Sequence, residues 1–342
     1  MNGRSSVPAE CPARRRALRL ALSGALGAMG AIGLSAVRAQ SPTPPFPTRT
    51  VRLVVPTGPG GPTDLLARML AERLQAQWGQ TVIVDNKAGA GQMIGADAVA
   101  KAAPDGHTLL LASDSAITIN PGLYPKMPYD PQKDLQPVSQ LASLPLLLVV
   151  HPSVPATSVE ELIRLAKARP GALAYGSGGA TSRMGVELFR TLAGIDMLHV
   201  PYKGSGPMVQ ALVANEVQLA FDGVSSSLQQ VRSGRLRALA VGGRQRLVAL
   251  PDVPTVAESG GLDYEAGAWL GLFAPAGTPR EVVLRVQADA ARALDGVAMR
   301  ERLSQMGMTA VLSMPEPFGA AIAQETVKWT RIIRQAGVTA DN

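Results

Sequence analysis

From Val51 onward the chain alternates short apolar runs with longer segments in which apolar residues recur every three or four positions. Short runs bounded by turn residues read as buried strands, and the three-to-four spacing reads as helices packed by one face. The first strand is Val51-Arg52-Leu53-Val54-Val55, within Arg49–Val55. A helix follows from Leu65 to Trp78. In it Leu66, Leu70 and Leu74 fall four apart, Leu65 and Met69 lie beside them, and Arg68, Glu72 and Arg73 take the other side. Strand Thr81–Val84, a helix over 92–102 and strand Thr108–Ala112 continue the series. The order β-α-β-α-β requires a parallel sheet with right-handed crossovers.

Between Ser113 and Asp134 the pattern breaks down, and Pro121, Pro125, Pro128 and Pro131 mark an irregular, functional or domain-joining stretch. Strand-like runs Val138–Ala142 and Leu146–Val150 read as a first crossing between domains. A second series then runs through helix Ser158–Ala168, strand Leu173–Gly176, helix Ser182–Ala193, strand Met197–Val200, helix Gly206–Ala214 and strand Gln218–Phe221. A helix over Ser225–Ser233, strand Arg237–Val241 and a helical turn at Thr255–Ser259 complete it. Tyr264 to Ala274 reads as the return crossing. Three C-terminal helices, Pro279–Leu294, Val297–Met306 and Glu316–Ala336, have no sheet of their own. The stripe Phe318, Ile322, Thr326, Trp329 and Ile333 on the last predicts docking back onto the first domain. The fold class is therefore α/β, with two domains, residues 45–142 plus 265–342 and residues 143–264. Two mostly parallel sheets with flanking helices should enclose a hinged cleft.

The first thirty-nine residues follow a different logic. Arg14-Arg15-Arg16 precedes an apolar stretch from Leu18 to Val37, and Val37-Arg38-Ala39 offers small residues for cleavage before Gln40. This is the pattern of a secretory signal peptide over residues 1–39, by the general or the twin-arginine route. The formal charge of the whole chain is +7, from 33 Lys and Arg against 26 Asp and Glu. Six of those arginines and one acid lie in residues 1–39, so the basic excess belongs largely to the leader and argues for no nucleic-acid partner. Aromatics make up only 4% of the chain, too few for a stacking platform. The single cysteine, Cys11, leaves with the leader, which excludes disulfides and thiol chemistry in the exported form. A periplasmic location fits such a chain.

Two strand–loop–helix units carry the candidate chemistry. Thr57-Gly58-Pro59-Gly60-Gly61-Pro62-Thr63-Asp64 follows the first strand, and Ser177-Gly178-Gly179-Ala180-Thr181-Ser182 follows strand Leu173–Gly176. Each contains Gly-Gly-x-Thr followed by a polar residue, one in each domain. A glycine turn opening a helix gathers unpaired N–H groups at the positive end of the helix dipole, which suits an anion. One small carboxylate bridging both loops is the resulting expectation. Gly58-x-Gly60-x-x-Thr63 with Asp85 also resembles a dinucleotide fingerprint, but Thr63 replaces the third glycine and Pro59 and Pro62 remove N–H donors. Ser113-Asp114-Ser115 lies past the third strand, where open α/β sheets bind ligands, and a capped turn is the equal alternative. Asp222 either meets a ligand amine or holds a loop. His107, His151 and His199 are scattered, and no serine elbow or zinc-protease pair is present, so neither cofactor nor metal is expected.

The motif Arg52-Leu53-Val54-Val55-Pro56 with Pro59-Gly60-Gly61 and Thr63-Asp64 resembles the opening of the periplasmic receptors of tripartite tricarboxylate transporters, the Bug-type family. Further matching stretches run from Asp85 to Gly91, Pro104-Asp105-Gly106, Asn120-Pro121, and from His199 to Gly204. Others are Leu236 to Val241, Pro251 to Thr255 and Gly271 to Gly277. The resemblance implies a type II periplasmic-binding-protein fold, a carboxylate held between domains with bridging waters, and delivery to a membrane permease. It places ligand contacts at Thr57, Gly58, Gly60, Gly61, Thr63 and Asp64, at Ser113 and Ser115, at Ser177, Gly179, Thr181, Ser182 and Arg183, and at Asp222, which corresponds to an amine-binding acid. The chain departs from the family's pattern at Thr57, where an aromatic is common, and at Arg183, where a histidine is common. Arg183 either pairs with a second carboxylate or points to solvent. An extracytoplasmic enzyme, or a partner that reports ligand to a sensor, would use the same scaffold.

Overall fold

The structure is a computed structural model that describes residues 1–3 and 46–340. Apart from residues 1–3, the expected signal segment over 1–39, with its arginines and Cys11, lies outside the described residues. Among the described residues no helix is long and apolar enough to cross a membrane.

Among the described residues ten strands form one curled, mixed sheet. They are β1 (Val51–Val55), β2 (Val82–Asn86), β3 (Thr108–Ser113), β4 (Leu135–Val150), β5 (Ala174–Ser177), β6 (Leu198–Pro201), β7 (Leu219–Gly223), β8 (Arg237–Val241), β9 (Gly267–Pro275) and β10 (Thr309–Ala310). The main path runs β2-β1-β3-β9-β4-β7-β5-β6, with β8 and β10 also on β4. Parallel pairing joins β1 to β2 and β3, and β5 to β6 and β7. Every antiparallel pairing involves β4 or β9. The two crossing runs expected at Val138–Ala142 and Leu146–Val150 are thus one sixteen-residue strand, β4. Its residues up to Pro145 pair with β9, and Leu146 to Val150 pair with β7 and β8. The change of partner divides the sheet into two lobes.

The central β3 and the part of β4 from Leu146 to Val150 are buried on both faces and read as near-continuous apolar runs. In the first lobe Leu66, Leu70 and Leu74 of helix Pro62–Trp78 pack with Val283, Val286 and Ala290 of helix Arg280–Leu294 on one sheet face. In the second, Leu147 and Val149 meet Met208 and Leu212 of helix Ser205–Val213, while Leu146 and Leu148 meet Met184 and Leu188 of helix Ala180–Ala193.

The terminal helix, Pro315–Ala336, departs from expectation. Phe318 and Ile322 join the first-lobe core with Phe273, but Trp329, Ile332 and Ile333 join the second-lobe core beside helix Ala180–Ala193. At twenty-two residues the helix is about 33 Å long, enough to span both lobes. The stripe on this helix was legible as a docking face, but the change of partner halfway along was not. The stretch from Ser113 to Asp134 is also more ordered than its prolines imply. It opens with a π-helical turn, Ser115–Ile119, and a short helix, Asn120–Leu123. Pro121 sits in the first turn of that helix, where a missing N–H costs nothing, and Ala116, Ile117 and Ile119 are fully buried.

Gly271 on β9 shows how closely the terminal helix is seated. A Cβ there would lie 2.5 Å from the Phe318 ring and 2.9 Å from that of Phe273. Gly271→Val should therefore lift the helix and lower stability by about 1–3 kcal/mol in urea denaturation. An unchanged midpoint would contradict this packing.

Candidate functional site

A cavity of about 710 Å³ opens between the lobes. Its second-lobe wall is built largely from helix starts. Gly178 to Met184 form one continuous stretch, followed by Ser205 at the head of helix Ser205–Val213 and by Gly223 to Ser226 at the head of helix Val224–Arg232. None of these three helices has a side-chain cap at its first position, where Gly179, Gly204 and Gly223 stand. Their leading N–H groups therefore keep donor capacity, and the dipoles add positive potential. Gly178 is required for close approach, because a Cβ would sit 2.6 Å from the Ser205 nitrogen.

The first-lobe wall is different. Of the opening loop only Pro62 and Thr63 reach the cavity; Thr57, Gly58, Gly60, Gly61 and Asp64 stand off it. Asp64 instead organises the loop. Its carboxylate accepts from the Gly60 N–H at 2.9 Å, from Arg68 at 2.9 and 3.0 Å, and from Asn86 Nδ2 at 2.9 Å. Asn86 also donates to the Thr57 carbonyl at 3.1 Å, tying the loop to β2. Gly60 takes φ 88°, a conformation that favours glycine. Ser113 at the end of β3, Asp114 and Ser115 add polar groups to this wall, with Gln92, whose amide brackets the Ser113 hydroxyl at 2.8 and 3.1 Å, and Asn120, Leu123, Tyr124 and Leu270 line it as well.

Thr181, Ser182 and Arg183 all line the cavity, as does Gly179. Thr181 reaches across it, donating to Asp114 Oδ2 at 2.9 Å and lying 3.0 Å from the Ser115 hydroxyl. Ser177 is buried under the loop, where its hydroxyl and His199 Nε2 are 2.7 Å apart. Asp222 is also on the wall and fully buried. Its Oδ2 accepts from Ser226 and Ser227 at 2.7 and 2.6 Å, while Oδ1 has no partner. Among the described lining residues Arg183 is the one cation. Its Nη1 donates to the Thr339 carbonyl at 3.0 Å, and Thr339 and Ala340 of the C-terminal tail line the cavity as well.

Sequence reasoning missed the heads of the helices at Ser205 and Val224, the Gln92 amide and the tail. The helix starts were signalled by Gly204 and Gly223 after strands, the same cue that marked Gly178-Gly179. Nothing local marks the tail, since its position depends on how the terminal helix docks. No cluster of three or more metal-ligating side chains occurs among the described residues.

The bonded Arg68 guanidinium holds the Asp64 carboxyl down at about 2, against burial that pushes it up. A depressed carboxyl adds stability that is present above its ordinary value of 3.8 and is lost as pH falls towards 2. Because Arg68 is 54% exposed, the contribution is discounted to about 1–2 kcal/mol. Asp64→Asn should reduce urea stability by about that amount at pH 7 and by much less at pH 2.5. A loss equal at both pH values would contradict the assignment.

Comparison with known proteins accords with this architecture. Residues 66–338 match the family described as tripartite tricarboxylate transporter family receptor. The chain is 40% identical over 286 residues to Protein BugT of Bordetella pertussis, covering 83% of this chain and 88% of that one. Among solved structures it is similar to Rpa4515 of R. palustris with adipate, at 37% identity and a TM-score of 0.76, covering 86% of this chain and 99% of that one. It is also similar to MatC of Rhodopseudomonas palustris with bound malate, at 34% identity and a TM-score of 0.72, covering 84% and 100%. These relatives share the two-domain fold of periplasmic solute-binding proteins. On residues 66–338 and on 40% identity across most of its length, the chain belongs to the tripartite tricarboxylate transporter receptor family.

Proposed function

We propose that the protein is a periplasmic receptor for a small carboxylate, which it delivers to a membrane permease of the tripartite tricarboxylate type. The observation that carries this reading is the second-lobe wall. Three glycine-headed helix starts and Arg183 converge on one cavity, an arrangement suited to an anion rather than to bond-making chemistry. The adipate and malate of the two related structures are acids of the size that such a cavity takes. Export through a signal peptide over residues 1–39 supplies the location.

Ligand contacts in this reading come from Thr63, Ser113 and Ser115 on one side and from Gly179, Thr181, Ser182 and Arg183 on the other. Thr57, Gly58, Gly60, Gly61, Asp64 and Ser177 support those contacts from behind. The bare Oδ1 of Asp222 suits a ligand that also carries a donor, such as an amine or hydroxyl. Residues 45–142 with 265–342, and 143–264, act as the two closing domains, with the hinge where β4 changes partners between Pro145 and Leu146.

Thermal-shift screening of the exported form against mono-, di- and tricarboxylates should find stabilising acids, and native mass spectrometry should show them bound one per chain. A covalently retained cofactor mass, or turnover of an added acid, would favour an enzyme instead. In calorimetry Arg183→Ala should weaken a dicarboxylate about 10- to 100-fold and a monocarboxylate much less, as expected for a lost charge-assisted bond. Equal losses would place Arg183 outside the contact set.

A further inference from the structure

Asp114 is a fully buried acid at the point where the lobes meet, and the carboxylate-binding reading does not account for it. The Ser115 hydroxyl, the Thr181 hydroxyl and Asp114 Oδ2 form a chain with steps of 3.0 and 2.9 Å. Thr181 has one proton and gives it to Asp114, so it accepts from Ser115. The other carboxyl oxygen, Oδ1, is buried and without a partner. Against full burial, an ionised carboxyl here would have only the Thr181 hydroxyl and the adjacent Ser115 and Asp114 N–H groups to offset its desolvation.

A second acid lies behind it. Thr118 Oγ1 is 3.1 Å from the Asp114 carbonyl and 3.2 Å from Glu325 Oε2 of the terminal helix, and Trp269 Nε1 donates to the same Glu325 oxygen at 2.6 Å. Burial first, and the Glu325 charge second, raise the Asp114 carboxyl well above the ordinary carboxylate range. Burial also raises Glu325. The other charged groups around Asp114 are Lys328 next to Glu325 on the terminal helix, Arg183 on the helix of Thr181, and Asp222 on the far wall. Burial lowers Lys328, and Arg183 is engaged with the tail carbonyl.

Building on the receptor reading, we propose that Asp114 is a positioning residue for cleft closure. Its neutral carboxyl carries the added proton on Oδ1 and keeps Oδ2 as the acceptor that holds Thr181 across the cleft, so that closing takes up a proton from solvent and opening returns it. Thr181 belongs to the second lobe, and separating the lobes would uncover Asp114 to water and restore its ordinary acidity. The sign follows from linkage. The closed form binds the extra proton, so rising pH favours the open form and ligand release, and falling pH favours closure.

The test begins without ligand. The chain from residue 40 onward contains no cysteine, so Glu72→Cys and Gln210→Cys place one spin label on each lobe. Pulsed electron resonance should show the closed distance gaining population as pH drops from 8 to 6, and Asp114→Asn should show the same distribution at both. A wild-type distribution that ignores pH, or an equal shift in Asp114→Asn, overturns the proposal. Malate calorimetry at pH 7 in phosphate and in Tris then counts protons. The wild type should take up more protons per malate than Asp114→Asn. Equal counts in the two proteins overturn it. Failure of malate to bind counts against the receptor reading for that acid, and the spin-label distances still decide the role of Asp114.

Discussion

The structure depends on a single strand that belongs to both lobes. β4 is hydrogen-bonded to β9 along its first two-thirds and to β7 and β8 along its last third. Separating the lobes completely would break a ladder buried on both faces, where unpaired backbone groups are costly. Rotation about the change of partner leaves each ladder intact. The cavity therefore lies beside the point where rotation would bend the sheet without parting it. The terminal helix adds a second link, because its two ends sit in different cores.

Within this frame the two sides of the cavity have separate roles. The second lobe presents backbone donors at three helix heads, and glycines at their caps keep those donors free of side chains. The first lobe presents hydroxyls and amides among apolar side chains such as Leu123 and Leu270, while its own glycine-rich loop is tied down through Asp64, Arg68 and Asn86. A fixed first-lobe loop and an open second-lobe one would let the same ligand be positioned by one side and neutralised by the other.

Much of this was legible in the sequence because it is local. Strand–glycine–helix units reveal themselves by periodicity and by their turn residues, and both Gly-Gly-x-Thr loops lie at the mouth of the cleft. The symmetry inferred between them did not carry over to the geometry. Pro59 and Pro62 argued against a phosphate cradle, but that Asp64 would turn inward onto Arg68 depends on Asn86, twenty-two residues further on. The 113–134 segment was hidden for a similar reason: its helical turns are held by buried Ala116, Ile117 and Ile119 rather than by propensity. Contacts that need the terminal helix in place, such as Arg183 with the Thr339 carbonyl and Glu325 behind Asp114, involve residues about 150 to 200 positions apart and leave no pattern to read.

Amide hydrogen exchange with and without a bound acid, such as adipate or malate, is the most direct check on the receptor reading. The account predicts slowed exchange at the first amides of helices Ala180–Ala193 and Val224–Arg232 and at the end of β3, with the opening loop from Thr57 to Gly61 nearly unchanged. Protection confined to other surfaces, or none at those helix starts while the acid is bound, would contradict it.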